Sequence, residues 1–299
     1  MPDNSNIDEL EVAAALLEAS GKYRVLRRIR SCISKVKASP GTKIGAVLDL
    51  ETTGLDVEHD EIIELAMIKF AFDDNGNIAG RTGEFTSLNE PSNGVPEAIT
   101  DLTGISAQDV AGKSLDISGA EIFLQDVQII IAHNAYFDRP IAERYIPVTS
   151  SKAWACSATE IPWRSEGVSG AKLEYLLSAY GLFYDAHRAL DDCSAVLELL
   201  GQELPKSRRS VLGVLLEAAR QPRFRLYALE AGYDARGALK GRGYKWNSGA
   251  NGAPKAWWID VSKDELEPEQ EFLKRQVGLT ENVPIRRLTA LNRFKSALA

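Results

Sequence analysis

The chain has 299 residues, is 44% hydrophobic and carries a formal net charge of −7. That length can bury a full core with room for more than one folding unit, and the acidic balance taken whole argues against a simple polyanion binder. No apolar run approaches the roughly 20 residues of a membrane span, the acidic N-terminus lacks a signal pattern, and Cys32, Cys156 and Cys193 are too scattered for a disulfide framework or zinc cluster. A cytoplasmic protein with no membrane partner is expected.

The charge is unevenly spread. Residues 1–205 carry 17 Lys and Arg against 32 Asp and Glu, a net of −15. Residues 206–299 carry 18 against 10, a net of +8. Such asymmetry suggests an acidic, metal-holding half joined to a basic half able to meet phosphates.

In chain order, residues 7–37 have helical spacing, with Leu10, Ala14 and Leu17 and then Val25, Leu26 and Ile29 recurring every three or four positions. Gly21 is expected to divide them into two helices. The tract Lys22, Arg24, Arg27, Arg28 and Arg30 faces away from the apolar stripe, as a solvated face or a phosphate contact. A linker with Pro40 and Gly41 follows.

Residues 44–55 read I-G-A-V-L-D-L-E-T-T-G-L. The branched apolar start predicts a buried strand, and Gly54 predicts a turn. Alternation puts Asp49 and Glu51 on one face, roughly 6–7 Å apart at the backbone. Two carboxylates there are either a solvated strand end or ligands of a hard divalent cation such as Mg²⁺ or Mn²⁺. A second strand at 62–72, a turn through Asn75-Gly76 and a third strand at 81–88 form an antiparallel hairpin. Helices at 96–102 and 118–126 precede a short buried strand at 127–132. Asn134 is expected to cap a helix running to Tyr145, with Asp138 in its first turn. Asp138 there is either a charge favouring the helix N-terminus or a site acid.

A strand and turn at 154–163, a helix at 172–180 and a last helix ending near Leu200 complete the acidic half. On that last helix Asp192 shares a face with Ala189, Ala195, Val196 and Leu199, whereas Asp191 lies on a mostly polar side. An inward acid needs a partner, which makes Asp192 the candidate ligand and Asp191 the solvent-facing one. His187, five residues before Asp192, is placed to take a proton from a water, or to serve as an ordinary loop histidine.

D-L-E-T-T-G-L, H-N-A-Y-F-D and H-R-A-L-D-D, in that order, resemble the three motifs of the DEDDh (DnaQ-like) 3′–5′ exonucleases, whose best-known member is the proofreading epsilon subunit of bacterial DNA polymerase III. The resemblance covers about residues 42–203. It implies an α/β ribonuclease H-like fold, a mixed five-stranded sheet flanked by helices. Asp49, Glu51, Asp138 and Asp192 would then hold two divalent cations, Mg²⁺ or Mn²⁺, with His187 as general base. Thr52, Thr53, Gly54, Leu55, His133, Asn134 and Phe137 would meet the terminal nucleotide, although Phe137 could equally face the core. The implied substrate is a DNA 3′ end, with RNA as the alternative and a DNA polymerase or repair complex as a partner. A non-catalytic binding subunit is the reading from another class, and the complete set of acids argues against it.

Residues 206–222 are expected to be a helical linker, with a helix at 211–220. Beyond them, a strand at 225–230, a short helix at 234–241, a hairpin through 244–259, a helix at 264–277 and a strand at 283–288 predict a small α+β accessory domain at 223–299. The nuclease domain would then span 41–205 and the N-terminal helical extension 1–40. L-K-G-R-G-Y-K-W followed by K-A-W-W looks like a small module appended to some bacterial exonucleases. Arg242, Lys245, Trp246 and Lys255 are candidate nucleic-acid contacts, since bases stack on aromatics while cations track phosphates. Alternation puts Trp257 and Trp258 on opposite faces, so at least one of them belongs to the core.

Overall fold

The structure, a computed structural model, describes residues 4–29, 33–37, 39, 41–249, 254–279 and 283–295, with residues 4–8 as backbone alone. Helix α1 (Asn4–Ala19) is followed by an extended pair, β1 (Arg27–Arg28), and not by a second helix. The expectation of two helices fails because β1 pairs in parallel with Leu182–Phe183, Arg27 N donating to Gly181 O and Ile29 N to Phe183 O. The foreseen stripe on α1 is largely exposed, with only Ala14 buried. Arg27 reaches back to Glu11, and Arg28 pairs with Asp185; Arg30 and Cys32 lie outside the described residues.

Three antiparallel strands, β2 (Lys43–Thr52), β3 (Ile62–Phe72) and β4 (Ile78–Leu88), follow as expected. The Asp73 carboxylate closes the β3–β4 turn by accepting from Asn75 N and Asn77 N. Helices α2 (Glu97–Thr103), α3 (Ala107–Val110) and α4 (Ile117–Leu124) lead into β5 (Ile129–Ala132) and α5 (Ala135–Tyr145). Then come β6 (Ala153–Cys156), α6 (Leu173–Ala179), β7 (Leu182–Phe183) and α7 (Ala189–Leu200). The sheet order is β4-β3-β2-β5-β6, with β2, β5 and β6 mutually parallel, which is the mixed five-stranded sheet the motifs implied.

Strand alternation explains the two cores. Ala46, Leu48 and Leu50 of β2 pack with α4 and α5 on one side, while Val47 packs with α7 and its neighbours on the other. Asp49 and Glu51 follow Val47 at two-residue steps, so they share the side on which α7 lies. Gly45 is required in this strand: a β-carbon there would sit 2.5 Å from the Phe70 ring.

Helix α8 (Val211–Arg220) is not a free linker. Val211, Leu212, Leu215, Leu216 and Ala219 are buried in the same core as α7. Past it, β8 (Arg223–Ala228), α9 (Arg236–Gly241), β9 (Lys245–Asn247), β10 (Ala256–Val261), α10 (Lys263–Gln276) and β11 (Ile285–Leu288) build a separate antiparallel sheet, ordered β11-β8-β10-β9. Its own core holds Leu226, Leu239, Tyr244 and Leu273, with Trp257 packed against it. Trp258, on the other face of β10, meets Tyr136 of α5 at 6.2 Å between ring centroids.

The chain then returns to the nuclease half. Trp154 N donates to Ala290 O, and the fully buried Arg139 guanidinium donates to the carbonyls of Ala290, Leu291 and Arg293. Phe294 is buried edge-on against Tyr136, 4.8 Å between centroids. Arg293, itself buried, pairs with Glu160 and donates to the carbonyls of Ala218, Ala219 and Gln221. Residues 290–294 are therefore packed into the nuclease core. No helix among the described residues is long and apolar enough to cross a membrane.

Candidate active site

The three acids of strand β2 and helix α7 converge. Asp49, Glu51 and Asp192 each offer a carboxylate oxygen within 4.8 Å of the others. Asp138, on the first turn of α5, is buried beside them and interacts electrostatically with Asp49, Glu51 and Asp192. Burial, with Asp138, Asp192, Glu51 and Glu64 nearby, holds the Asp49 carboxyl well above the usual range. Burial and then Asp192 and Glu64 push Glu51 up to about 7, against the opposing pull of Arg188. Asp138 rises to about 8, chiefly through burial, despite backbone hydrogen bonds that include one at Leu50. Asp192 is also raised by burial, although hydrogen bonds from Tyr184 and the His187 backbone oppose it. Four carboxylates that repel one another in a confined space call for more positive charge than Arg188 supplies, and a hard divalent cation bound by oxygen is what this donor set fits.

Helix phase resolves the two adjacent aspartates. Asp191 is exposed, and Asp192 turns inward, accepting from Tyr184 Oη at 2.6 Å, His187 N at 2.9 Å and Arg188 N at 3.2 Å. His187 lies in the loop before α7, exposed, with φ 70°. Its backbone N is tied to Asp192, and the residue is exposed to solvent.

Other expected contacts are rearranged. Asn134 precedes α5, yet its side chain makes no capping hydrogen bond and its φ is 122°, a left-handed value that costs about 1–3 kcal/mol for a non-glycine residue. The helix instead packs Ala135, Ile141 and Ala142 into the core beside β2. Both His133 ring nitrogens are engaged within the protein. Nε2 must carry the proton donated to Ala171 O at 2.7 Å, so in the neutral ring Nδ1 accepts from Ser157 Oγ at 2.9 Å. Burial lowers the pKa of that ring, which favours the neutral form. Phe137 is half-buried against the core on the α5 side.

The loop after β2 is tied to itself. Thr52 Oγ1 donates to Gly54 O, Thr53 Oγ1 donates to Asp60, and the Asp60 carboxylate fills the space that a β-carbon on Gly54 would need, 2.5 Å away. Gly54 thus allows the approach of Asp60, whereas the neighbouring Leu55 is 87% exposed.

Sequence reasoning overlooked Glu64. It lies opposite Glu51 on β3, is buried, and accepts from Arg188 Nη2 at 3.0 Å and Ala189 N at 3.0 Å. It fastens the start of α7 to the sheet and so positions Asp192. Its signal was the one acid in a strand that is apolar but for Glu64 and Lys69. Tyr184, whose hydroxyl is pushed up by burial and by Asp192, was missed as well.

Of the four foreseen nucleic-acid residues, Lys245 and Trp246 are consecutive on β9 and so lie on opposite faces of the sheet. Arg242 pairs with Glu269 and lies over the Phe272 ring. Trp246 meets Trp257 at a tilt, ring centroids 5.6 Å apart, Lys255 is exposed, and Lys245 packs over Tyr136 and Trp258 on the face toward α5.

Among curated relatives, the PolC-type DNA polymerase III of Thermotoga maritima is 32% identical over 165 residues, covering 51% of this chain and 11% of that protein. The epsilon subunit of Aquifex aeolicus DNA polymerase III is 28% identical over 160 residues, covering 51% of this chain and 76% of that one. The chain therefore spans about a tenth of the PolC-type relatives it matches. Among solved structures, an E. coli exonuclease I–single-stranded DNA complex aligns with 17% identity and TM-score 0.47, covering 83% of this chain and 63% of that one. Exonuclease X with 5′-overhanging duplex DNA aligns with 21% identity and TM-score 0.40, covering 56% and 99%. The family model RNase_T, described as Exonuclease, matches residues 46–200, a segment that runs from the carboxylate strand to the end of α7. With that match spanning just over half of its length and enclosing all four acids, this chain belongs to the RNase_T exonuclease family.

Proposed function

We propose that the protein is a 3′–5′ exonuclease that trims DNA, single-stranded or frayed at the 3′ end, and releases nucleoside 5′-monophosphates. The observation that carries this reading is the convergence of Asp49, Glu51 and Asp192 within 4.8 Å, with Asp138 buried alongside. Two divalent cations held by these four acids, Mg²⁺ or Mn²⁺, would supply an acidified water and neutralise charge on the leaving oxygen.

The chain's own groups do the rest. His187 is the proton acceptor, because its ring projects from the loop whose backbone N donates to Asp192. Tyr184 and the backbone of Arg188 fix the Asp192 carboxylate, and Glu64 fixes Arg188. In this reading Asn134, Phe137 and the backbone of residues 52–55 receive the terminal nucleotide, and His133, held by Ser157 and Ala171, braces the start of α5. Association with a DNA polymerase or repair complex is the partner role that fits the named relatives.

The test is degradation of 5′-labelled DNA and RNA strands, single and duplex, with Mg²⁺, Mn²⁺ or EDTA. A ladder shortening from the 3′ end of DNA, abolished by EDTA, is expected. Release of the 5′ label as a mononucleotide would refute the direction, and faster trimming of RNA would reassign the substrate.

A further inference from the structure

Between α5 and the C-terminal sheet lies a cavity of about 530 Å³. Its walls come from both halves, with Tyr136 and Ile161 on one side and Arg223, Lys245 and Trp258 on the other. Its carboxylates are matched by cations: Glu160 by Arg293, and Asp260 by Arg225, which also lies 4.0 Å from the Trp258 ring centroid. Tyr136 Oη donates a further hydrogen bond to Asp260.

Two cations remain. Lys245 and Arg223 form no ion pair among the described residues, although Arg223 lies within electrostatic reach of Glu160 and Glu265. Lys245 Nζ stands 4.8 Å from the Tyr136 ring centroid and 5.2 Å from that of Trp258. Arg223 is anchored by donating to Asp260 O at 2.7 Å. The rings thus hold a lysine in a fixed place, with little face left for a base to stack on. The lining residues carry three cations, Arg223, Lys245 and Arg293, against two carboxylates, Glu160 and Asp260, a net of +1 inside a chain of net −7, beside the apolar surface of Ile161, Pro162 and Pro222.

This is not the catalytic site. Tyr136 and Asp138 are two residues apart on α5, so their side chains diverge by about 200° around the helix. The cavity opens behind the wall that carries the acids.

We propose that this cavity is a second phosphate site, in which Lys245 and Arg223 bind the phosphate of a nucleotide and the apolar wall takes its sugar. The choice of a nucleotide, among phosphates in general, rests on the exonuclease reading. Two sources share this chemistry: an internal nucleotide of a bound strand, and a free nucleoside monophosphate such as the reaction would release.

The experiment uses the full chain in EDTA, with labelled dT12 followed by anisotropy and dTMP by calorimetry. Lys245→Gln and Arg223→Gln are compared with wild type and with Lys274→Gln, which removes an exposed cation of α10 outside the cavity. Each phosphate contact adds about 0.7 to the salt slope of single-strand binding, equivalent to about fivefold in affinity between 1 M and 0.1 M salt. Losing about fivefold affinity and that part of the slope for dT12 in both cavity variants, but not in Lys274→Gln, supports a strand. Weakening of dTMP binding alone supports a free mononucleotide. Unchanged binding of both ligands by folded Lys245→Gln overturns the proposal. Trimming of a short DNA by the wild-type chain with Mg²⁺ tests the exonuclease reading separately, so either idea can fail alone.

Discussion

Replacing Glu51 with Gln should stabilise the metal-free protein at alkaline pH. Glu51 is held at about 7 in place of the ordinary 4.5, chiefly by burial and then by Asp192 and Glu64. A carboxylate kept ionised against such a shift costs about 3 kcal/mol, and sharing protons among four coupled acids reduces this to about 1–3 kcal/mol. The sign follows from proton binding. Between roughly pH 4.5 and 7 the folded state holds more protons at this site than the unfolded chain, so stability falls as pH rises through that window. Gln keeps the shape and removes the charge. In EDTA at pH 8, Glu51→Gln should therefore melt several degrees above wild type, at about 2–4 °C per kcal/mol for a chain this large. The gap should close at pH 5, where wild-type Glu51 is already protonated. Adding Mg²⁺ at pH 8 should raise wild type far more than the variant. A variant less stable than wild type at pH 8 in EDTA would falsify the claim that mutual repulsion in this cluster demands a cation.

Other expectations follow from the same geometry. Asp192→Ala should nearly abolish 3′-end trimming while Asp191→Ala stays close to wild type, as measured on labelled DNA; the reverse outcome would mean the α7 side chains have been misassigned. His187→Ala should slow cleavage by about 10²–10⁴-fold with Mg²⁺ affinity by calorimetry unchanged, and a parallel loss of affinity would make the histidine a ligand. Phe294→Ala should cost about 3–5 kcal/mol in urea unfolding, since the ring is buried against Tyr136. Ending the chain at residue 222 should give insoluble protein, because Arg139 would lose its three carbonyl partners inside the core; recovery of a soluble, active fragment would contradict that.

The local parts of this protein were legible because they rest on periodicity and spacing. A period of two placed Asp49 and Glu51 on one side of their strand, and the helical period turned Asp192 inward and Asp191 outward. The same local rules located the hairpin at Asn75-Gly76 and the division of labour between Trp257 and Trp258. Partnerships across long stretches of chain were decided only by tertiary structure. Residues 27–28 share a helical spacing with their neighbours, but their backbone hydrogen-bonds to the β7 edge, 155 positions away in the chain. Glu64 reads as a stray acid until Arg188 and Ala189 arrive from 124 and 125 positions away. The C-terminal residues look like the end of a basic module, yet the buried guanidinium of Arg139 requires carbonyl acceptors and finds them at Ala290, Leu291 and Arg293. Periodicity records which face of an element is buried, whereas the identity of whatever covers that face is settled by packing and by the need to satisfy every buried donor.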